Sequence, residues 1–115
     1  DQALAALVDD LEDRGMTQDT MLVVTGEFGR TKLNANGGRD HWPSITTLLL
    51  AGGNYSHGRV IGEADRAYYP SSNKFGPLDL SATIFDHFGI DSKIQKIDQA
   101  GRPRYLLDGE ASVIL

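Results

Sequence analysis

Apolar residues recur at helical spacing near the start of the chain, and acidic residues occupy several of the positions between them. The apolar positions of this stretch are Leu4, Leu7, Val8 and Leu11. Residues three or four positions apart share one face of a helix, so the pattern predicts an amphipathic helix over about residues 2–14. Gly15 is the expected stop at its C-terminal end.

Two nearly continuous apolar runs follow, at residues 21–25 and 45–51, and the second ends at Gly52 and Gly53. A run without polar alternation is typical of a strand that is buried on both faces of a parallel sheet. A helix that leads into such a strand indicates an α/β protein. We therefore expect a mostly parallel sheet, with the loop over residues 26–43 at a strand end.

The second half of the chain has weaker patterns. Residues 59–62 are a candidate for a short further strand, and residues 78–88 have mostly helical apolar spacing that stops at Gly89. Asp79 is the expected N-cap of this second helix. Residues 101–103 form an expected turn, and without a convincing linker the chain reads as one domain.

The composition of the chain excludes several classes of partner and binding site. The sequence has 115 residues, 40% of them apolar, and a formal net charge of -5 with scattered basic residues, which argues against nucleic acid as a partner. It has no cysteine, which excludes disulfides and thiolate metal sites. Its apolar runs are too short to span a bilayer, so we expect no membrane insertion. Because the chain opens on Asp1 inside a helical pattern, we expect a fragment or a processed product.

The segment 26–31, Gly-Glu-Phe-Gly-Arg-Thr, directly follows the first predicted strand. Ligands of open α/β sheets bind beyond such strand ends. Glu27 is a candidate metal ligand or base, and Arg30 is a candidate clamp for an anionic oxygen. The alternative is a tight turn in which Glu27 and Arg30 form an ion pair and Phe28 enters the core.

Arg39, Asp40 and His41 place a cation, a carboxylate and an imidazole in succession before the second predicted strand. His41 with a carboxylate suits a divalent metal such as zinc, with Asp40 as a ligand or as the group that orients the imidazole. The alternative is that Asp40 caps a turn and His41 bonds to backbone. Trp42 is expected to pack rather than to stack on a ligand.

Four motifs in order resemble the C-terminal part of the domain-of-unknown-function-1501 family, over nearly the whole chain. They are Thr25-Gly-Glu-Phe-Gly-Arg-Thr31, Gly38-Arg-Asp-His-Trp-Pro43, Leu49-Leu-Ala-Gly-Gly53 and Gly101-Arg-Pro103. That family is similar to the alkaline phosphatase and sulfatase superfamily. The resemblance implies part of an α/β/α sandwich, over residues 1–115 as a single domain or as the C-terminal fragment of a larger one.

The resemblance also implies a function and a site. It implies a metal-dependent hydrolase of phosphate or sulfate esters, with a small anionic ester as substrate and an extracytoplasmic location. His41 matches a metal-binding histidine of the superfamily, and Glu27 stands where an aspartate ligand is usual. Arg30 and Arg39 would assist electrostatically.

Phe28 is a departure from the superfamily pattern, because it occupies the place of an adjacent histidine ligand. A two-metal site is therefore in doubt. The superfamily nucleophile belongs to an earlier segment, so we expect this chain alone to be inactive. The competing expectation is a non-catalytic binding or structural domain that has an altered metal site.

Overall fold

The computed structural model describes residues 1–72 and 74–115, and the chain forms two compact units, Asp1–Lys74 and Phe75–Leu115. The first unit contains α1 (Gln2–Asp13), β1 (Met21–Thr25), β2 (Gly29–Arg30), β3 (His41–Trp42), β4 (Leu48–Gly52), β5 (Glu63–Ala64) and β6 (Pro70–Ser72). The second contains α2 (Pro77–His87), β7 (Gln95–Ile97) and β8 (Pro103–Tyr105). None of the helices in these described ranges is long and apolar enough to cross a membrane.

The first helix confirms its sequence prediction. It ends at Asp13, and Gly15 follows in the left-handed conformation with φ +68°, which glycine adopts readily. The Gly15 amide donates to the carbonyl of Glu12 at 2.9 Å and so satisfies one of the last carbonyls of the helix. Val8 and Leu11 of α1 line one apolar cleft with Leu22 and Ala51, so the apolar face of the helix meets the sheet.

The prediction of a mostly parallel sheet in an α/β/α sandwich is wrong. The two predicted strands exist, but β1 and β4 pair antiparallel, with Met21 opposite Gly52 and Thr25 opposite Leu48. Every other sheet in the described ranges is also a two-stranded antiparallel pair. The physical reason lies in the connection: parallel neighbours need a crossover, usually a helix, whereas residues 26–47 form a hairpin that returns the chain alongside β1.

Antiparallel pairing also explains the exposure of these apolar strands. Val24 and Leu49 are register partners, and their side chains remain 41% and 40% exposed. The continuous apolar runs therefore predicted the two strands correctly, but the prediction that both faces of the strands are buried is wrong. The short strand predicted at residues 59–62 is also wrong, since the strand in this region is β5 at Glu63–Ala64, paired antiparallel with β6.

The second unit is built around α2, which confirms the second predicted helix. Its stop is also confirmed, because Gly89 adopts φ +66° and donates to the carbonyl of Asp86 at 2.9 Å. The expected N-cap is wrong by three positions: Gly76 is the N-cap, and the Asp79 carboxylate accepts its amide at 2.7 Å. Pro77 explains the shift, since proline favours the first helical position.

The C-terminal segment packs on α2 through two side chains. The Asp79 carboxylate accepts the Ser112 amide at 2.8 Å. Thr83 is fully buried, and its hydroxyl donates to the Asp79 carbonyl at 2.7 Å and accepts the Ile114 amide at 3.0 Å. These bonds fix residues 112–114 beside the helix.

The β7–β8 hairpin turns over residues 98–102, which overlap the turn predicted at residues 101–103, and Pro103 already belongs to β8. Asp98 organises the turn: its carboxylate accepts the amides of Ala100 and Arg102, each at 2.9 Å. The guanidinium groups of Arg102 and Arg104 lie 3.1 and 3.3 Å from the same carboxylate. The Arg102 amide is the largest of the causes that lower the pKa of Asp98, and these other donors add to it.

Candidate functional site at the β2–β3 hairpin

The two polar motifs of the long loop form the two strands of one hairpin. In this hairpin Arg30 is the register partner of His41, and Gly29 is the partner of Trp42. A side chain at position 29 would not fit, because a Cβ there would lie 2.4 Å from the Ile45 carbonyl oxygen. The glycine therefore allows the backbone to pass closely enough for the motifs to pair.

The ring of Phe28 contacts both Arg30 and His41. The rings of Phe28 and His41 are stacked with centroids 4.0 Å apart, and the Arg30 guanidinium carbon lies 5.1 Å from the centre of the Phe28 ring. Both contacts are favourable, as aromatic stacking and as a cation–π interaction. Arg30 and His41 are exposed and Phe28 is half-buried, so a cation and an imidazole face solvent on an aromatic support.

This arrangement differs from the tight turn weighed above. Across residues 1–72 and 74–115, the ion pairs join Arg14 to Asp10 and the arginines of the β7–β8 hairpin to Asp98. Arg30 therefore contacts Phe28 instead of pairing with Glu27. The imidazole of His41 is stacked on the ring of Phe28.

Asn34 orders the loop between the two strands. Its side-chain oxygen accepts the amides of Asn36 and Gly38 at 3.1 and 3.0 Å, and its side-chain nitrogen donates to the Asp40 carboxylate at 3.4 Å. At the loop base, Thr31 and Asp40 exchange two bonds, one through the Thr31 hydroxyl at 3.0 Å. The sequence reasoning missed Asn34, although its Asn-Ala-Asn-Gly-Gly context is typical of turns.

The predicted metal ligands are not gathered into one centre. Glu27, Asp40 and His41 are all exposed, and the part of the chain that the structure describes contains no group of three or more histidine, aspartate or glutamate side chains able to hold an ion. Protein zinc sites use three or four such ligands. These residues alone therefore do not fit a complete metal centre. Arg39 is exposed beside Asp40.

Trp42 packs, as the sequence predicted, on the next hairpin along the chain. Its indole N–H donates to the Tyr68 carbonyl at 2.6 Å, and its ring meets that of Tyr69 edge-on with centroids 5.1 Å apart. The Lys32 ammonium lies 5.9 Å from the centre of the Tyr68 ring. The β2–β3 hairpin thus contacts the turn between β5 and β6.

Comparison with known proteins identifies a family for this chain. The sequence model of a family described as "Protein of unknown function (DUF1501)" matches residues 1–115. No curated protein and no solved structure matches the chain.

Proposed function

This chain belongs to the DUF1501 family of proteins of unknown function, and we propose that its parent protein is a metal-dependent hydrolase of phosphate or sulfate esters. In this proposal the β2–β3 hairpin binds the anionic group of the ester. The proposed relationship to the alkaline phosphatase and sulfatase superfamily rests on the sequence motifs that the hairpin carries.

The pairing of Arg30 with His41 carries the proposal. The two side chains are register partners, exposed, and in contact with the same ring. Arginine presents a planar set of donors that matches two oxygens of a phosphate or sulfate. Fixed donors of this kind stabilise negative charge that develops on those oxygens during ester cleavage.

His41 has a complementary role at the same anion. Its imidazole can donate a hydrogen bond to an ester oxygen or act as a general acid or base. The stacking on Phe28 fixes the ring plane at 29° to that support and so restricts the directions of its nitrogens. Arg39 adds a second exposed cation on the same hairpin.

A divalent metal would polarise the ester and stabilise the developing charge. The described donors of this chain do not make a complete centre, so the proposal assigns the missing ligands to other parts of the parent protein. The roles of Arg30 and His41 above do not depend on the ion.

One observation favours a second candidate, a non-catalytic binding or structural domain with an altered metal site. The side chain of Phe28 cannot bind a metal. Its ring is stacked on that of His41, with centroids 4.0 Å apart, at the position where the superfamily pattern has a second histidine ligand. A domain of this kind would keep an anion-binding hairpin without turning over an ester.

The test uses the full-length family protein that contains this sequence. Its metal content and its hydrolysis of para-nitrophenyl phosphate and para-nitrophenyl sulfate are measured for wild type, Arg30→Ala and His41→Ala. Arg66→Ala, which changes an exposed arginine outside the hairpin, is the matched control. Loss of a charge-assisted bond of about 1.5–3 kcal/mol corresponds to a roughly 10- to 160-fold fall in kcat/KM.

The outcomes separate the two candidates. A fall of that size in both hairpin variants, with normal activity of the Arg66 variant, supports the hydrolase. Full activity in both hairpin variants overturns it. Absence of turnover in the wild type, together with phosphate binding that requires Arg30, supports the binding domain instead.

A further inference from the structure

An aromatic cluster lies beside the anion-binding residues and has no role in the proposed chemistry. It consists of Trp42, Tyr68 and Tyr69, with the ammonium of Lys32 against it. Successive residues of a strand point to opposite faces, so Trp42 leaves the hairpin on the face opposite to His41. The cluster is therefore a separate surface from the Arg30 and His41 pair.

The backbone of Tyr68 is held in an unusual conformation. Its φ is +63°, in the left-handed region that disfavours any residue with a Cβ atom. Asp65 fixes the turn, since its carboxylate accepts the amides of Ala67 and Tyr69 at 2.8 and 2.9 Å. The Tyr68 carbonyl also accepts the Trp42 indole at 2.6 Å. Tyr68 takes part in these hydrogen bonds only through its own backbone atoms, so its ring is not needed for the turn.

Both tyrosine rings remain available to a ligand. Tyr68 is 37% exposed and Tyr69 is 46% exposed. The Lys32 ammonium, 5.9 Å from the Tyr68 ring centre, places a positive charge at the rim of this surface. Exposed aromatic faces stack on flat ring systems, and the phenolic hydroxyls and the ammonium supply donors to hydroxyl and anionic groups.

This chemistry indicates a small ring that carries both hydroxyl groups and a negative charge. The C–H faces of a sugar ring pack against aromatic rings, while its hydroxyls need the polar partners that tyrosine and lysine provide. A nucleic-acid strand fits poorly, because the chain has a net charge of -5 that repels a polyanion.

We propose that Trp42, Tyr68, Tyr69 and Lys32 form a binding site for a sugar ring that bears a sulfate or phosphate group. The choice of these two charged groups rests on the proposed function, whereas the ring rests on the geometry of the cluster. The site lies on the face of the hairpin opposite to His41, so it adds a second binding surface to that function.

The test measures binding through the fluorescence of Trp42, the single tryptophan of this sequence. The protein is titrated with glucose 6-sulfate, glucose 6-phosphate and glucose. The key variant is Tyr68→Gly, because glycine accepts the positive φ and keeps every backbone bond of the turn. Tyr105→Ala, at a tyrosine that is 51% exposed in the second unit, is the matched control.

We expect saturable binding of the two charged sugars and a loss of affinity of at least tenfold in Tyr68→Gly, without a lower unfolding midpoint. Lys32→Met should weaken binding of the charged sugars and leave that of glucose unchanged, with Lys96→Met as its control. Equal affinities in wild type and Tyr68→Gly overturn the site, as does binding of para-nitrophenyl sulfate without binding of any sugar.

Binding is measured without turnover, so this result is independent of the hydrolase assay. If the protein binds the charged sugars, loses this affinity in Tyr68→Gly and hydrolyses no ester, the sugar site is supported and the hydrolase is rejected. Ester hydrolysis with a flat sugar titration retains the hydrolase and rejects the sugar site.

Discussion

The imidazole of His41 lies against the ring of Phe28, with centroids 4.0 Å apart and planes inclined by 29°. This contact is a direct consequence of hairpin pairing, because β3 places His41 opposite Arg30, two residues beyond Phe28. Phe28 and His41 therefore form one contact within the proposed anion-binding hairpin.

Replacing Phe28 by histidine should add a second imidazole ligand beside His41. A histidine ring in the position of Phe28 would bring a second imidazole against His41, and zinc binds imidazole nitrogens at about 2.0–2.1 Å. We expect Phe28→His to bind Zn²⁺ at least tenfold more tightly than wild type in calorimetric titrations. Phe75→His, at an aromatic residue that is 42% exposed, is the control, and an equal gain in both variants would contradict the prediction.

Replacing Asn34 should loosen the hairpin loop. Alanine removes the oxygen that accepts the Asn36 and Gly38 amides and the nitrogen that reaches Asp40. Because these bonds are near the surface, each contributes about 0.5–1.5 kcal/mol, and we expect Asn34→Ala to lower the free energy of unfolding by about 1–2 kcal/mol. Amide hydrogen exchange should become faster at Gly38, whereas unchanged exchange there would reject Asn34 as the organiser of the loop.

The Asp79 carboxylate should make the second unit sensitive to acid. The Gly76 amide is the main cause that lowers its pKa from the ordinary value of 3.8, and the Ser112 amide adds to it. Its stabilising effect is therefore fully present above the unfolded-state pKa of about 3.9 and is lost as the pH falls through the lower folded-state pKa.

Urea unfolding between pH 7 and pH 2 tests this expectation. Asp79→Asn should reduce the acid dependence of the unfolding free energy, because the variant has no proton to bind at this position. Glu110→Gln, at an exposed glutamate of the same unit, serves as the control. Identical pH profiles for wild type and Asp79→Asn would show that the carboxylate does not contribute.

Gly52, at the end of β4, should tolerate alanine less well than Gly58 does. Its φ is +74°, and a Cβ there would lie 2.2 Å from the Thr20 carbonyl oxygen and 2.9 Å from that of Thr17. Gly58 has a similar φ of +79° but open space around it. Both alanine variants incur the left-handed cost of roughly 1–2 kcal/mol, and the clash should destabilise Gly52→Ala by a further ~1–3 kcal/mol. Equal unfolding free energies of the two variants would contradict this account.

Local patterns in the sequence were sufficient for the two helices and the two longest strands, β1 and β4, but not for the short strands. The spacing of Leu4, Leu7, Val8 and Leu11 placed α1, and the apolar run at residues 21–25 placed β1 with its observed bounds. Gly15 and Gly89 correctly predicted the C-terminal ends of the two helices, because the residue after a helix often adopts the left-handed conformation that glycine allows. The two polar motifs were also recognised as neighbours from their place in one loop.

The sequence by itself thus determined where the helices and main strands lie and which polar residues share a loop, because these depend on periodicity and on residues near in the chain. Only the tertiary structure decided that β1 and β4 run antiparallel, that Arg30 contacts Phe28 rather than Glu27, and that Trp42 meets Tyr68. Strand direction, ring stacking and contacts between hairpins depend on how distant segments pack, and the apolar pattern of a strand is the same for either direction.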